Sequence, residues 1–212
     1  MKILAHRGYW LRPEEKNSLA AFDRARVHGF GLETDVRDLR GRLVISHDPP
    51  AGGEPMLERL LAMYRGSDLV LAINIKADGL SAPLQGALDA AGVRWFAFDM
   101  SGPETMRYLQ RGAPTFTRHS DVEPAPIFYS EAQGVWLDGM RGDWFTPDVI
   151  DAHLERGKQV CVVSPELHGR DPEHVWAWLA TTRYAQCDAL YVCTDRPEHL
   201  LQRVRMHEEE LS

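Results

Sequence analysis

The 212-residue chain reads as an α/β protein, a compact (β/α)8 barrel in one domain with a short β-hairpin extension after the second strand. Three observations lead there. Short apolar or β-branched runs bounded by turn residues alternate with amphipathic stretches along the whole chain. Setting the hairpin aside leaves eight such runs, most followed by a helical pattern. The polar residues able to do chemistry fall at the C-terminal ends of the runs, where barrel enzymes carry their sites. A doubly wound open sheet is the competing architecture, but no G-x-G-x-x-G opens a helix here.

The strands are expected at Lys2–His6, Phe30–Arg37, Arg42–Ser46, Leu69–Lys76, Arg94–Phe98, Pro114–Arg118, Gly134–Leu137, Gln159–Val163 and Ala189–Thr194. The first helix is expected over Ser18–His28, with Asn17 or Ser18 as its cap and Gly29 as its stop. Others follow at Pro55–Tyr64, Ala82–Ala91, Pro103–Gln110, Pro147–Arg156, Pro172–Thr181 and Pro197–Glu209. Several open on proline, whose missing N–H costs nothing in a first turn. Arg42–Ser46 follows Arg37 through a turn at Leu39–Gly41, which makes it the hairpin extension.

Composition narrows the function. Lys and Arg number 24 against 31 Asp and Glu, a net charge of −7, and 44 % of residues are hydrophobic. That apolar content argues for a packed core rather than disorder. The charge argues against nucleic acid or an anionic membrane as partner. A small anionic substrate stays open, because a bound cation sets the local sign. No apolar window is long enough to span a bilayer. No secretory signal precedes His6 and Arg7, so the cytoplasm is the expected compartment. Cys161, Cys187 and Cys193 fit neither a disulfide framework nor a paired zinc motif and are expected as buried thiols.

His6-Arg7-Gly8 ends the first strand, Glu33 and Asp35 lie two apart on the second, His47-Asp48 ends the hairpin, and Asn74 and Lys76 repeat the i, i+2 spacing on the third barrel strand. Two-residue spacing puts Glu33 and Asp35 on one face. Paired carboxylates favour a hard divalent cation, Mg²⁺ or Ca²⁺. His6 and His47 suit general acid and base work, and the fork of Arg7 suits a phosphate oxygen. A cation, an Arg and two His together fit phosphodiester cleavage.

These residues resemble the glycerophosphodiester phosphodiesterase family. The resemblance rests on His6-Arg7-Gly8, Asn17-Ser18, Ala21-Phe22, Ala25, Gly29, Glu33-Thr34-Asp35-Val36, Gly41 and His47-Asp48, with Thr194-Asp195-Arg196-Pro197 near the chain end. It implies a barrel of the phospholipase C type that hydrolyses a glycerophosphodiester with a divalent cation. It makes His6 and His47 the acid/base pair and Glu33 and Asp35 metal ligands, and it places Arg7 and Asn17 around the substrate. An inward Lys76 needs a carboxylate or phosphate partner, which puts it there too.

The sequence departs from the family pattern in three places. Asn74-Ile75-Lys76 stands where the family has Glu-x-Lys, so either Asn74 or Glu166 is the candidate to complete the metal site. Only Pro49 to Asp68 separates the His-Asp motif from the next strand, where relatives carry a longer insertion. Lys16 replaces the Glu before the family's Asn. Two further readings remain from the residues: cleavage giving a cyclic phosphate, or a catalytically weakened binding protein on the same barrel. Which histidine is the acid stays open, as does whether water or a neighbouring alcohol attacks.

Overall fold

The computed structural model describes residues 1–210. Eight parallel strands wrap into a nearly closed barrel: β1 (Lys2–His6), β2 (Gly31–Leu39), β4 (Val70–Ile75), β5 (Arg94–Phe98), β6 (Phe116–Ser120), β7 (Gly134–Asp138), β8 (Gln159–Val163) and β9 (Leu190–Thr194). Their order around the sheet is β5-β4-β2-β1-β9-β8-β7-β6. The seam between β5 and β6 is joined by one parallel bridge, Ala97 to Thr115, with Ala97 N–H donating to Pro114 C=O at 2.8 Å. The extension is β3 (Arg42–Ile45), antiparallel to β2 as the hairpin reading expects.

Helices α1 (Leu19–Val27), α2 (Leu57–Tyr64), α3 (Ser81–Ala91), α4 (Gly102–Gln110), α5 (Pro147–Glu155), α6 (Glu173–Leu179), α7 (Thr182–Ala185) and α8 (Pro197–Glu210) run between the strands and after the last. Ser18 caps α1, its hydroxyl accepting from Ala21 N–H at 3.2 Å. The helix expected over Pro172–Thr181 is α6, and the short α7, which is not expected, follows it after Ala180 and Thr181. Among the described residues, no helix is long and apolar enough to cross a membrane.

Alternation along each strand builds two cores. Inside the barrel, Leu4, Ala72, Phe96, Phe98, Phe116, Trp136, Cys161, Val163, Tyr191 and Cys193 fill the lumen. Phe96 stacks on Phe116 and Phe98 on Trp136, each with ring centroids 3.8 Å apart. Outside, Leu32, Ile73 and Trp95 pack under α1 to α3, and Val135, Val162 and Val192 pack under α5, α6 and α8. Gly134 starts β7 because a Cβ there would lie 2.5 Å from the Phe116 ring. Two of the three thiols, Cys161 and Cys193, are buried as expected, whereas Cys187 is only half-buried.

The connection between β6 and β7 carries no helix. Residues 121–133 cross the surface as turns and bends. Pro124 and Pro126 explain this, because each removes an N–H and pushes the residue before it out of helical geometry. The barrel therefore economises here.

Candidate active site

Register places the chemistry at the C-terminal mouth. His6 of β1 pairs with Glu33 of β2, and Asp35 of β2 pairs with Asn74 of β4. Three adjacent strands thus bring a histidine, two carboxylates and an amide side by side. Glu33, Asp35 and Asn74 are buried.

The chain turns sharply after β1. Gly8 has φ +94°, and a Cβ on it would lie 2.7 Å from Ala21 Cβ, so only glycine lets α1 approach this closely. Arg7 and Asn17 have positive φ, 55° and 59°. Backbone bonds hold both: Arg7 N–H donates to Glu33 C=O at 2.9 Å, and Asn17 N–H to Arg7 C=O at 2.8 Å. A strained, over-determined loop of this kind is typical of a working site.

Asp35 is the hub. Asn17 Nδ2 donates to its Oδ2 at 2.9 Å, while Asn17 Oδ1 accepts from Thr34 at 2.8 Å, which fixes the amide orientation. Arg7 Nε stands 3.1 Å from Oδ2 and Lys76 Nζ 3.5 Å from Oδ1. Neither cation makes an aligned hydrogen bond with these atoms. Arg7 Nε, Asp35 Oδ1 and Asn74 Oδ1 are each buried without a hydrogen-bond partner. A buried polar atom without a hydrogen bond is costly; the nearby opposite charges offset part of that cost for Arg7 and Asp35, and the three together mark a site shaped for something it receives.

His6 is oriented from the neighbouring strand, β9, which pairs with β1 on the side away from β2. Its Nδ1 lies 2.6 Å from Asp195 Oδ1 and its Nε2 3.8 Å from Glu33 Oε2. Burial alone would raise the Asp195 carboxyl, but the hydrogen bond and charge of His6, aided by Lys16 at 3.6 Å, hold it below the ordinary value. Glu33 moves the other way. Burial pushes it up to about 7, with Asp35 adding to the rise and His6, Arg7 and Lys76 opposing it. A divalent cation there would reverse that balance.

Three residues sit differently from expectation. Asp195, given no site role in the sequence reading, is the partner of His6. Glu166, offered as a metal ligand, turns its carboxylate to Ser164, Thr194 and the Asp195 N–H. His47 is exposed on the loop after β3. Its Nδ1 meets Asp48 at 2.9 Å and its carbonyl accepts from Arg37, and no described contact joins it to His6 or the carboxylates. The Asp195 pairing was not readable from sequence, because 189 positions separate it from His6.

A cation fits only partly. Among the described residues, no three His, Cys, Asp or Glu side chains converge as a metal site. Two carboxylates and the unpartnered Asn74 oxygen nonetheless make an all-oxygen set suited to a hard ion. Lys76 would share Asp35 with it.

Across the mouth, Arg118 on β6 binds Asp99, Asp138 at 2.9 Å and Glu123 at 3.2 Å, while His168 Nε2 meets Asp138 at 2.7 Å. Burial works against the Arg118 charge, and the three carboxylates outweigh it.

Fold and mouth together define a (β/α)8 barrel with a polar, carboxylate-rich site at its C-terminal end. No family model and no curated protein matches the sequence. Among solved structures, the barrel is similar to a Ca²⁺-dependent phosphatidylinositol-specific phospholipase C from Streptomyces antibioticus, with TM-score 0.55 and 11 % identity over 94 % of this chain and 95 % of that one. The likeness is one of fold.

Proposed function

We propose that this barrel cleaves a small phosphodiester, a glycerophosphodiester in the first instance, to an alcohol and glycerol phosphate. The observation that carries the reading is the trio of buried atoms without a hydrogen bond, one donor on Arg7 and two acceptors on Asp35 and Asn74. A cation against the acceptors and a phosphoryl oxygen against the donor would satisfy all three. The phospholipase C on the same fold is named as Ca²⁺-dependent, which accords with this.

Glu33, Asp35 and Asn74 would hold Mg²⁺ or Ca²⁺, which when bound supplies Lewis-acid polarisation of the phosphoryl group. Arg7 and Lys76 offset the charge that grows on the phosphoryl oxygens, and being held in place they need little reorganisation to do so. Asn17 keeps Asp35 in position. His6 moves the proton through Nε2, since Nδ1 is committed to Asp195, which fixes the tautomer and steadies the imidazolium. His47 is the second acid/base group of the reading, and its loop must move inward to serve.

That displacement of His47 favours one competing reading, a binding protein with weak turnover. The test is phosphorus NMR of glycerophosphodiesters incubated with the protein and Mg²⁺ or Ca²⁺. A monoester product supports hydrolysis, and a cyclic phosphate indicates attack by a neighbouring hydroxyl. Saturable binding without product leaves the binding protein.

A further inference from the structure

We propose that Glu166 is a positioning residue for the histidine of the site: its carboxylate locks the end of β9 so that Asp195 meets His6. The inference rests on the acid/base role given to His6 above.

Glu166 lies in the short 3-10 turn Pro165–His168 that follows β8. One carboxylate oxygen, Oε1, accepts from the Thr194 hydroxyl and from the Asp195 N–H at 3.1 Å. The other, Oε2, accepts from the Ser164 hydroxyl. Ser164 Oγ in turn accepts from the Trp176 indole N–H at 2.8 Å, and Thr194 Oγ1 from Arg196 N–H at 3.0 Å. Ser164 and Thr194 are fully buried. Ser164 N–H also donates to Cys193 C=O at 2.9 Å, which carries the β8–β9 ladder into the turn.

The chain of contacts therefore runs from α6 through Trp176, Ser164 and Glu166 to the backbone of Asp195, and from there to His6 Nδ1 at 2.6 Å. Only a carboxylate can accept from all three donors at once. Alanine leaves two buried hydroxyls and an N–H without their acceptor. Glutamine keeps one acceptor oxygen, enough for Thr194 and Asp195 but not for Ser164. With both oxygens bound to protein donors, Glu166 acts through Asp195 rather than on a cation. Loss of such outer support commonly costs ten- to hundredfold in activity, because small displacements at the reacting group are expensive.

The test combines a mutant cycle with a spectroscopic signature. Glu166→Ala is expected to lower kcat about ten- to hundredfold with KM little changed. Asp195→Asn is expected to lower it at least as far. The double variant should be no worse than Asp195→Asn alone, and Glu166→Gln should recover part of the loss. In the proton NMR spectrum, a low-field Nδ1–H signal that is absent in His6→Ala should be present in the wild type and in Glu166→Gln, and lost in Glu166→Ala. Additive losses in the cycle, or an undisturbed signal in folded Glu166→Ala, overturn the proposal. If the wild type cleaves no diester, the reading of function fails, and the NMR signal still decides whether Glu166 positions His6.

Discussion

The two sides of the barrel mouth use similar residues to opposite ends. On the β5–β7 side, Arg118 is surrounded by Asp99, Asp138 and Glu123, and His168 closes on Asp138. Every charge there has a partner within the protein. On the β1–β2–β4 side, Arg7, Asp35 and Asn74 each keep a buried atom without a hydrogen bond, although Arg7 and Lys76 stand close to Asp35, and burial raises the Glu33 carboxyl to about 7. The first side is a closed network that ties three strands together next to the barrel seam. The second is left incomplete, so it is the side that can gain from an arriving cation and phosphate.

The comparison is broken most severely by His6→Ala. General acid–base groups contribute about 10²–10⁴-fold, so turnover of an accepted diester should fall by that order while circular dichroism stays unchanged. Wild-type kcat in this variant would remove His6 from the chemistry. Next comes Arg118→Met. Removing one partner of a buried ion pair costs about 3–5 kcal/mol, and Arg118 leaves two inward carboxylates behind. Its melting temperature should drop by many degrees while kcat changes far less than in His6→Ala. The reverse pattern would make the closed network part of the chemistry.

Asn74→Glu sharpens the contrast from the other direction. A carboxylate in place of the amide should strengthen contact with the cation by about 1.5–3 kcal/mol, roughly ten- to hundredfold in calorimetric affinity. Unchanged metal binding would show that this position faces away from the ion.

The smallest expected effect lies outside the mouth. His153 of α5 accepts or donates to His119 at 2.9 Å and to Tyr129 at 2.8 Å. Burial, with the nearby His119 and Arg156, lowers its pKa to about 4. The unfolded chain then binds more protons than the folded one between the ordinary histidine value and about 4. Stability should fall as pH drops through that window and level off below it. Thermal melts across it should show a shallower slope in His153→Leu, and an equal slope would exclude this histidine as the cause.

Much of this was legible in the sequence because it is local. Lys2–His6 and Gln159–Val163 are strands with the bounds their apolar runs suggest. Glu33 and Asp35 share an inward face because strand periodicity is two, and the turn at Leu39–Gly41 gives the hairpin. What sequence could not show is long-range or conformational. The His6–Asp195 pair and the turning of Glu166 onto β9 are made only when the barrel brings β1, β8 and β9 together. No helix is expected over 121–133 and none forms there, in keeping with Pro124 and Pro126. The exposure of His47 depends on how its loop sits, which no spacing encodes.

The central claim is that the incomplete side of the mouth cleaves phosphodiesters through His6. It is tested most directly by phosphorus NMR of a glycerophosphodiester incubated with Mg²⁺ or Ca²⁺ and either the wild type or His6→Ala. The expected result is conversion to a phosphomonoester by the wild type, about 100-fold or more faster than by the variant. No conversion by the wild type, or equal rates from the two proteins, would contradict it.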